Sequence, residues 1–232
     1  MTVRGFHAPA ETPADRTRVK ICGVRDVGTA AVCAEAGVDF VGLVFVRRSP
    51  RCVETAEAEG VTRALHAFGL HAPVPVGLFC DHAVEDVRAI AAAAGLTTVQ
   101  LHGRESAAEV AALADAGLTV WKAVPFDADG VRRWAGVRGL AALLVDAPPP
   151  ARGGVTGGHG VRFDWQALAG VDRGGLPPLW LAGGLTPENV AGAIGIVRPF
   201  GVDVSSGVES AKGVKDAAKV RAFVGAAGSV AG

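Results

Sequence analysis

The sequence predicts an α/β protein built as one (βα)8 barrel, the TIM-barrel architecture, and three observations carry that expectation. From Arg18 onward, eight short apolar, β-prone runs alternate with eight helix-prone segments, mostly alanine-rich, with no break in composition. Such spacing predicts parallel strands joined by crossover helices. The glycine-rich turns come late, after the seventh and eighth strands, where a barrel keeps its phosphate-binding loops. An open doubly wound sheet would carry its glycine fingerprint after the first strand, and that turn here reads CGVRD. A chain of 232 residues also suits a barrel, which commonly runs to about 250 residues as a single domain.

Residues 1–17 (MTVRGFHAPAETPADRT) are polar, proline-bearing and aperiodic. They are expected to form a disordered tail ahead of a barrel domain spanning 18–229. Strands are predicted at 19–22 (VKIC), 39–45 (DFVGLVF), 74–79 (VPVGLF), 98–101 (TVQL), 119–124 (TVWKAV), 142–145 (ALLV), 179–182 and 201–204. Helices are predicted at 26–36, 54–67, 83–94, 105–116, about 128–137, 164–169, 186–197 and 215–227. Side chains alternate along a strand, so Lys20 and Cys22 share one face and Val19 and Ile21 the other. The outer face of a barrel packs on apolar helices, which sends Lys20 and Cys22 inward, with Cys22 at the catalytic end. Asp203 and Ser205 point inward on the last strand by the same parity. First and last strands are neighbours in a closed barrel, so Lys20 can pair with Asp203; a buried ammonium without a partner is costly.

The stretch 179–209 organises the far side. Leu179 to Ala182 is an apolar strand, and Gly183-Gly184 allows a sharp turn. Thr186 is expected to cap a helix with Pro187 at its first position, and Val190, Ile194 and Val197 recur at helical spacing. Gly201 to Val204 is the next strand, followed at once by Ser205-Ser206-Gly207. Glycine is common in any βα loop. Two such turns at neighbouring strand ends point to an oxyanion, held by Gly183, Gly184, Ser206 and Gly207 as phosphate-binding groups.

Half the residues are hydrophobic, a fifth are charged, and 23 basic residues balance 23 acidic ones. The scattered cations argue against nucleic-acid or membrane-surface partners, while a small anion needs only a few donors. No apolar run approaches the ~20 residues of a membrane span, and the N-terminus lacks the features of a signal peptide. Cys22, Cys33, Cys52 and Cys80 form no CxxC pair, so no metal is expected and a reducing, cytoplasmic setting is.

VKICGVRD (19–26) resembles the opening of the phosphoribosylanthranilate isomerases of tryptophan biosynthesis. The likeness continues through VGLVFVRRSPRCV (41–53), VGLF (76–79), VQLHG (99–103), WKAV (121–124), LLVD (143–146), GGHGVRFDW (157–165), LAGGLTPENV (181–190) and VDVSSGVESAKGVKD (202–216). It covers residues 18 to about 225; each motif is weak alone, and the set is specific. The resemblance implies a (βα)8 barrel without cofactor or metal, acting on a phosphorylated small molecule as a monomer or homodimer. The implied reaction is the Amadori rearrangement of N-(5-phospho-β-D-ribosyl)anthranilate to 1-(2-carboxyphenylamino)-1-deoxy-D-ribulose 5-phosphate.

That isomerisation needs an acid to open the sugar ring and a base to remove the C2 proton. The resemblance implies Cys22 as base and Asp146 as acid. It implies that Arg51 meets the anthranilate carboxylate, that Gln100 and Asp203 contact substrate, and that Gly158 and Gly160 add phosphate donors. The residues alone leave alternatives open. Cys22 also reads as a small buried hydrophobe. Asp146 ends an apolar run, a setting that desolvates a carboxyl, and also reads as a cap or turn residue before Pro148. Arg47 and Arg48 rival Arg51, and Cys80 is a second candidate thiol. His102 is expected to be structural. His159 stands where the family usually places Ser or Thr. Two other chemistries fit a barrel: a histidine-pathway isomerase with a carboxylate ending strand one, and a Schiff-base lyase using Lys122.

Overall fold

The computed structural model describes residues 16–146 and 165–230. Eight strands close into a parallel barrel in sequence order: β1 (Arg18–Cys22), β2 (Phe40–Val44), β3 (Val74–Phe79), β4 (Thr98–Leu101), β5 (Thr119–Pro125), β6 (Leu140–Asp146), β7 (Leu179–Leu181) and β8 (Gly201–Val204). The closure excludes the doubly wound sheet. β8 returns to β1 with Lys20 opposite Asp203. The expected tail falls outside the described residues except for Arg16 and Thr17. Arg16 clasps Asp39 with both guanidinium ends, at 2.6 and 2.9 Å.

Helices α1 (Val27–Glu35), α2 (Thr55–Leu65), α3 (Val84–Ala93), α4 (Ala107–Asp115), α5 (Ala128–Arg132), α6 (Trp165–Ala169), α7 (Val190–Val197) and α8 (Ala217–Gly228) link the strands. Their starts follow from capping side chains. Asp26 accepts the N–H of Thr29 at 2.8 Å, Ser106 and Glu109 form a capping box, and Asp216 accepts from Ala218 and Lys219. α7 starts four residues later than the sequence suggests. Thr186 does not cap it; Thr186 to Asn189 form a turn in which Asn189 accepts the Thr186 N–H and donates to Gly184 O. After β8 comes a short 3-10 turn (Ser206–Val208) and a hairpin, β9 (Glu209–Ala211) with β10 (Val214–Lys215), which the sequence reading missed.

Strand parity holds. Val19 and Ile21 join the apolar layer between barrel and helices, whereas Lys20 and Cys22 face the interior. The lower interior is filled by Phe40, Trp121 and Trp180, with ring centroids 4.7–5.3 Å apart. Gly201 leaves room for the Trp180 ring, since a Cβ there would lie 2.5 Å from it. This plug confines the polar interior to the C-terminal mouth.

Candidate active site

The mouth collects the sequence-predicted residues from separate strand ends. Cys22 closes β1 and is buried, and Gly42 on β2 stands opposite it. A Cβ at Gly42 would come within 2.9 Å of the Cys22 sulfur, so the glycine makes space for the thiol. Lys20 Nζ reaches Asp203 Oδ1 at 3.0 Å with the ammonium fully buried. Burial pushes the Lys20 ammonium toward losing its proton, but Asp203 and the Cys22 sulfur offset this, and its pKa stays above the ordinary value. Asp203, assigned to substrate binding, is thus already bonded to Lys20.

Burial raises the Cys22 thiol, and Asp203 adds to the rise; Lys20, Lys215 and Arg51 pull it down without winning. Ser205 Oγ donates to the Cys22 carbonyl at 3.0 Å, and Lys215 Nζ donates to the Ser205 carbonyl at 2.9 Å. The backbone that carries the thiol is therefore held by polar groups, while the side chain packs against Val44 and Leu78.

Asp146 ends β6, and its side chain is 32% exposed, so the apolar run does not bury it. His102 Nε2 lies 3.5 Å from Asp146 Oδ2, and His102 Nδ1 lies 3.2 Å from Gln100 Nε2. His102, expected to be structural, stands at the mouth between these two side chains. Gln100 is buried, and its carbonyl oxygen has no partner among the described residues.

Arg51 differs from its rivals in its setting. Arg47 and Arg48 are exposed, and Arg48 reaches the Cys80 sulfur at 3.8 Å. Arg51 lies in the turn after β2, its stem packed over Gly23, and pairs side-on with Glu209 at 2.7 and 2.8 Å. Gly183 and Gly184 adopt φ of 86° and 64°, and their N–H groups donate to no acceptor among the described residues. Ser206 and Gly207 open the 3-10 turn, whose first N–H groups have no partner within it. A Cβ on Gly207 would collide with the Leu185 carbonyl, so the two turns touch backbone to backbone. Gly158, His159 and Gly160 lie outside the described residues.

Lys122 faces away from the mouth, since Trp121 and Ala123 point inward. Its ammonium is bonded to Glu105 Oε2 at 3.0 Å, Gly103 O at 2.8 Å and Ala123 O at 3.0 Å, and it is sealed from solvent. That placement removes it from Schiff-base chemistry. Among the described residues no cluster of His, Cys, Asp or Glu could hold a metal ion. No described helix is long and apolar enough to cross a membrane.

Comparison with known proteins fits this geometry. The family profile for N-(5'-phosphoribosyl)anthranilate (PRA) isomerase matches residues 19–226. The chain belongs to the phosphoribosylanthranilate isomerase family. The N-(5'-phosphoribosyl)anthranilate isomerase of Myxococcus xanthus is 43% identical over 217 residues, covering 92% of this chain and 97% of that one. The crystal structure of phosphoribosyl anthranilate isomerase from Thermotoga maritima superposes with a TM-score of 0.80 at 35% identity, covering 91% and 98%. A phosphoribosyl anthranilate isomerase crystallised with reduced 1-(o-carboxyphenylamino)-1-deoxyribulose 5-phosphate superposes at 0.77 with 34% identity, over the same shares.

Cys22 and Asp146, assigned by that resemblance, share the mouth with the two glycine turns. The sequence missed Glu209 and Lys215. Their only signal was the unbroken VDVSSGVESAKGVKD segment, whose final residues read as a helix lead-in.

Proposed function

We propose that the chain catalyses the Amadori rearrangement of N-(5-phospho-β-D-ribosyl)anthranilate to 1-(2-carboxyphenylamino)-1-deoxy-D-ribulose 5-phosphate, a step of tryptophan biosynthesis. Membership of the isomerase family supports the reaction. One observation supports its assignment to residues: a thiol flanked by Lys20, Lys215 and Arg51 shares one barrel mouth with a partly exposed carboxyl.

In this reading Asp146 donates a proton to the furanose ring oxygen. The C1–O bond breaks as the anilino nitrogen lone pair forms the Schiff base. Cys22, as thiolate, takes the C2 proton, and the C–H electron pair moves to give the enolamine. Tautomerisation transfers the C2 hydroxyl proton to C1 and yields the ketone. Cys22 then returns a proton to solvent and Asp146 regains one, so the cycle balances. Each proton transfer contributes typically ~10²–10⁴ in rate.

The phosphate rests against the N–H groups of Gly183 and Gly184 and of Ser206 and Gly207; Gly158 and Gly160, outside the described residues, are assigned as further donors by the family resemblance alone. Arg51 holds the anthranilate carboxylate, and Gln100 offers its unpaired carbonyl oxygen to substrate. Asp203 sits beneath the ribose while paired to Lys20. Residues 18–229 act as one catalytic domain behind a tail of 1–17, as a monomer or homodimer in the cytoplasm.

The fluorescence decay of enzymatically generated phosphoribosylanthranilate on adding purified protein tests this directly. Decay is expected with the wild type and lost in Cys22→Ala. No decay with the folded wild type would overturn the proposal.

A further inference from the structure

Glu209 takes part in none of the proton transfers, yet each of its carboxylate oxygens accepts two hydrogen bonds. Oε1 accepts from Arg51 Nε at 2.7 Å and Lys215 Nζ at 2.8 Å. Oε2 accepts from Arg51 Nη2 at 2.8 Å and Gly213 N at 3.1 Å. Its side chain is 5% exposed, and the Lys219 ammonium holds its backbone carbonyl at 2.8 Å. The carboxylate is therefore a fixed point in the β9–β10 hairpin, which carries on from the Ser206-Gly207 turn.

What it fixes is the orientation of Arg51. A guanidinium can grip a carboxylate along its side edge, through Nε and Nη2, or along its end edge, through Nη1 and Nη2. Glu209 occupies the side edge. Among the described residues Nη1 makes no hydrogen bond, so the end edge is left open. The stem cannot swing freely either, because it lies against Gly23, directly after Cys22. An arginine otherwise loses much rotamer freedom on binding, and a rigid partner removes that cost beforehand.

We propose that Glu209 is a positioning residue that holds Arg51 side-on, so that the end edge of its guanidinium is presented to the ortho-carboxylate of the substrate's aryl ring. One arginine is then shared by two carboxylates, one permanent and one brought by substrate. The loop after β2 and the phosphate turn after β8 are tied together by the same anion, which sets the distance between the two ends of the bound molecule. This rests on reading Arg51 as the aryl-carboxylate grip.

The test compares kcat/KM for phosphoribosylanthranilate with that for phosphoribosylaniline, which lacks the carboxylate. Wild type, Arg51→Met, Glu209→Gln and Glu209→Asp are measured together with their thermal midpoints. Arg51→Met should erase the preference for the carboxylated substrate. Glu209→Gln and Glu209→Asp should each cut it by about tenfold or more, through KM rather than kcat, as expected for loss of an oriented charge-assisted pair. Glu209→Asp keeps the charge beside Lys215 and serves if the amide variant does not fold. An unchanged preference in the Glu209 variants, with loss in Arg51→Met, overturns the proposal and leaves the Arg51 reading standing. A retained preference in Arg51→Met overturns both. A lower KM in Glu209→Gln would mean that Glu209 competes with substrate instead of positioning its partner.

Discussion

Lys20 and Asp203 meet at 3.0 Å inside the barrel, 183 residues apart in sequence and directly opposite in the β1–β8 register. The pair spans the seam that closes the sheet. Its ammonium is fully buried, so its Coulomb attraction chiefly offsets a desolvation cost. Breaking the pair from one side should therefore harm more than removing both charges. Asp203→Ala is expected to destabilise the fold by about 3–5 kcal/mol, and Lys20→Met/Asp203→Leu by clearly less. Chemical denaturation of the three proteins checks this. Equal losses in the single and double variants would mean that packing, not charge, sets the cost.

The Cys22 thiol lies above its ordinary value because burial outweighs the cations around it. The groups facing it are Lys20 on its own strand, Asp203 on β8, Arg51 after β2 and Lys215 on β10. A raised thiol pKa leaves the thiolate a minor species near neutrality. Carboxamidomethylation at Cys22, followed residue by residue by mass spectrometry, should thus accelerate as pH rises through 9.0, the ordinary thiol value, and keep rising above it. The acid limb of kcat/KM should follow the same course. Lys215→Met removes one cation and should push both curves to still higher pH. Cys22→Ala and Asp146→Asn should each lower kcat by at least ~10² with far smaller changes in KM. A plateau of alkylation already reached at pH 7 would show that the thiolate is stabilised in the free protein.

Much of this was legible in the sequence, for identifiable reasons. β-prone runs between alanine-rich segments gave the strand count, and alternation put Lys20, Cys22 and Asp203 on the inner face. The same parity applied to β5 would have sent Lys122 outward beside inward-facing Trp121, away from any catalytic role. Thr186-Pro187 imitates a helix start, but Asn189 diverts it into a turn by bonding both Thr186 N and Gly184 O. The β9–β10 hairpin was illegible because strands of three and two residues show no periodicity. Glu209 acquires meaning only through Arg51, 158 positions away, a relation that no local pattern encodes.

Gly183 and Gly184 test the phosphate cradle. Both have positive φ, and side chains are disfavoured there whatever space is available. Gly184→Val should strain the turn and cover the N–H groups of the proposed phosphate cradle, raising KM at least ~10-fold while the folded protein keeps its circular dichroism. Sulfate should compete with substrate in the wild type and raise its thermal midpoint, as RT ln(1 + [L]/Kd) requires of a ligand bound only to the folded chain. The variant should lose both effects together. If sulfate still stabilises Gly184→Val as strongly, the anion sits elsewhere.

Glu209 leaves a signature in acid. Although desolvation alone would raise its carboxyl, the bonds from Arg51, Lys215 and Gly213 win and hold it at about 2, against an ordinary value of 4.5. A carboxylate depressed in the folded state binds fewer protons there than in the unfolded chain, so stability rises with pH across the interval between the two values. Its contribution is complete above 4.5 and is lost as pH falls through about 2. Glu209→Gln cannot titrate and should carry none of this dependence. The difference in thermal midpoint between wild type and Glu209→Gln is therefore expected to be constant from pH 7 down to about 4.5, then to shrink steadily toward pH 2. A difference that stays constant over that interval would show that the Arg51 and Lys215 bonds do not hold the carboxylate ionised, and that its place in the hairpin depends on shape alone.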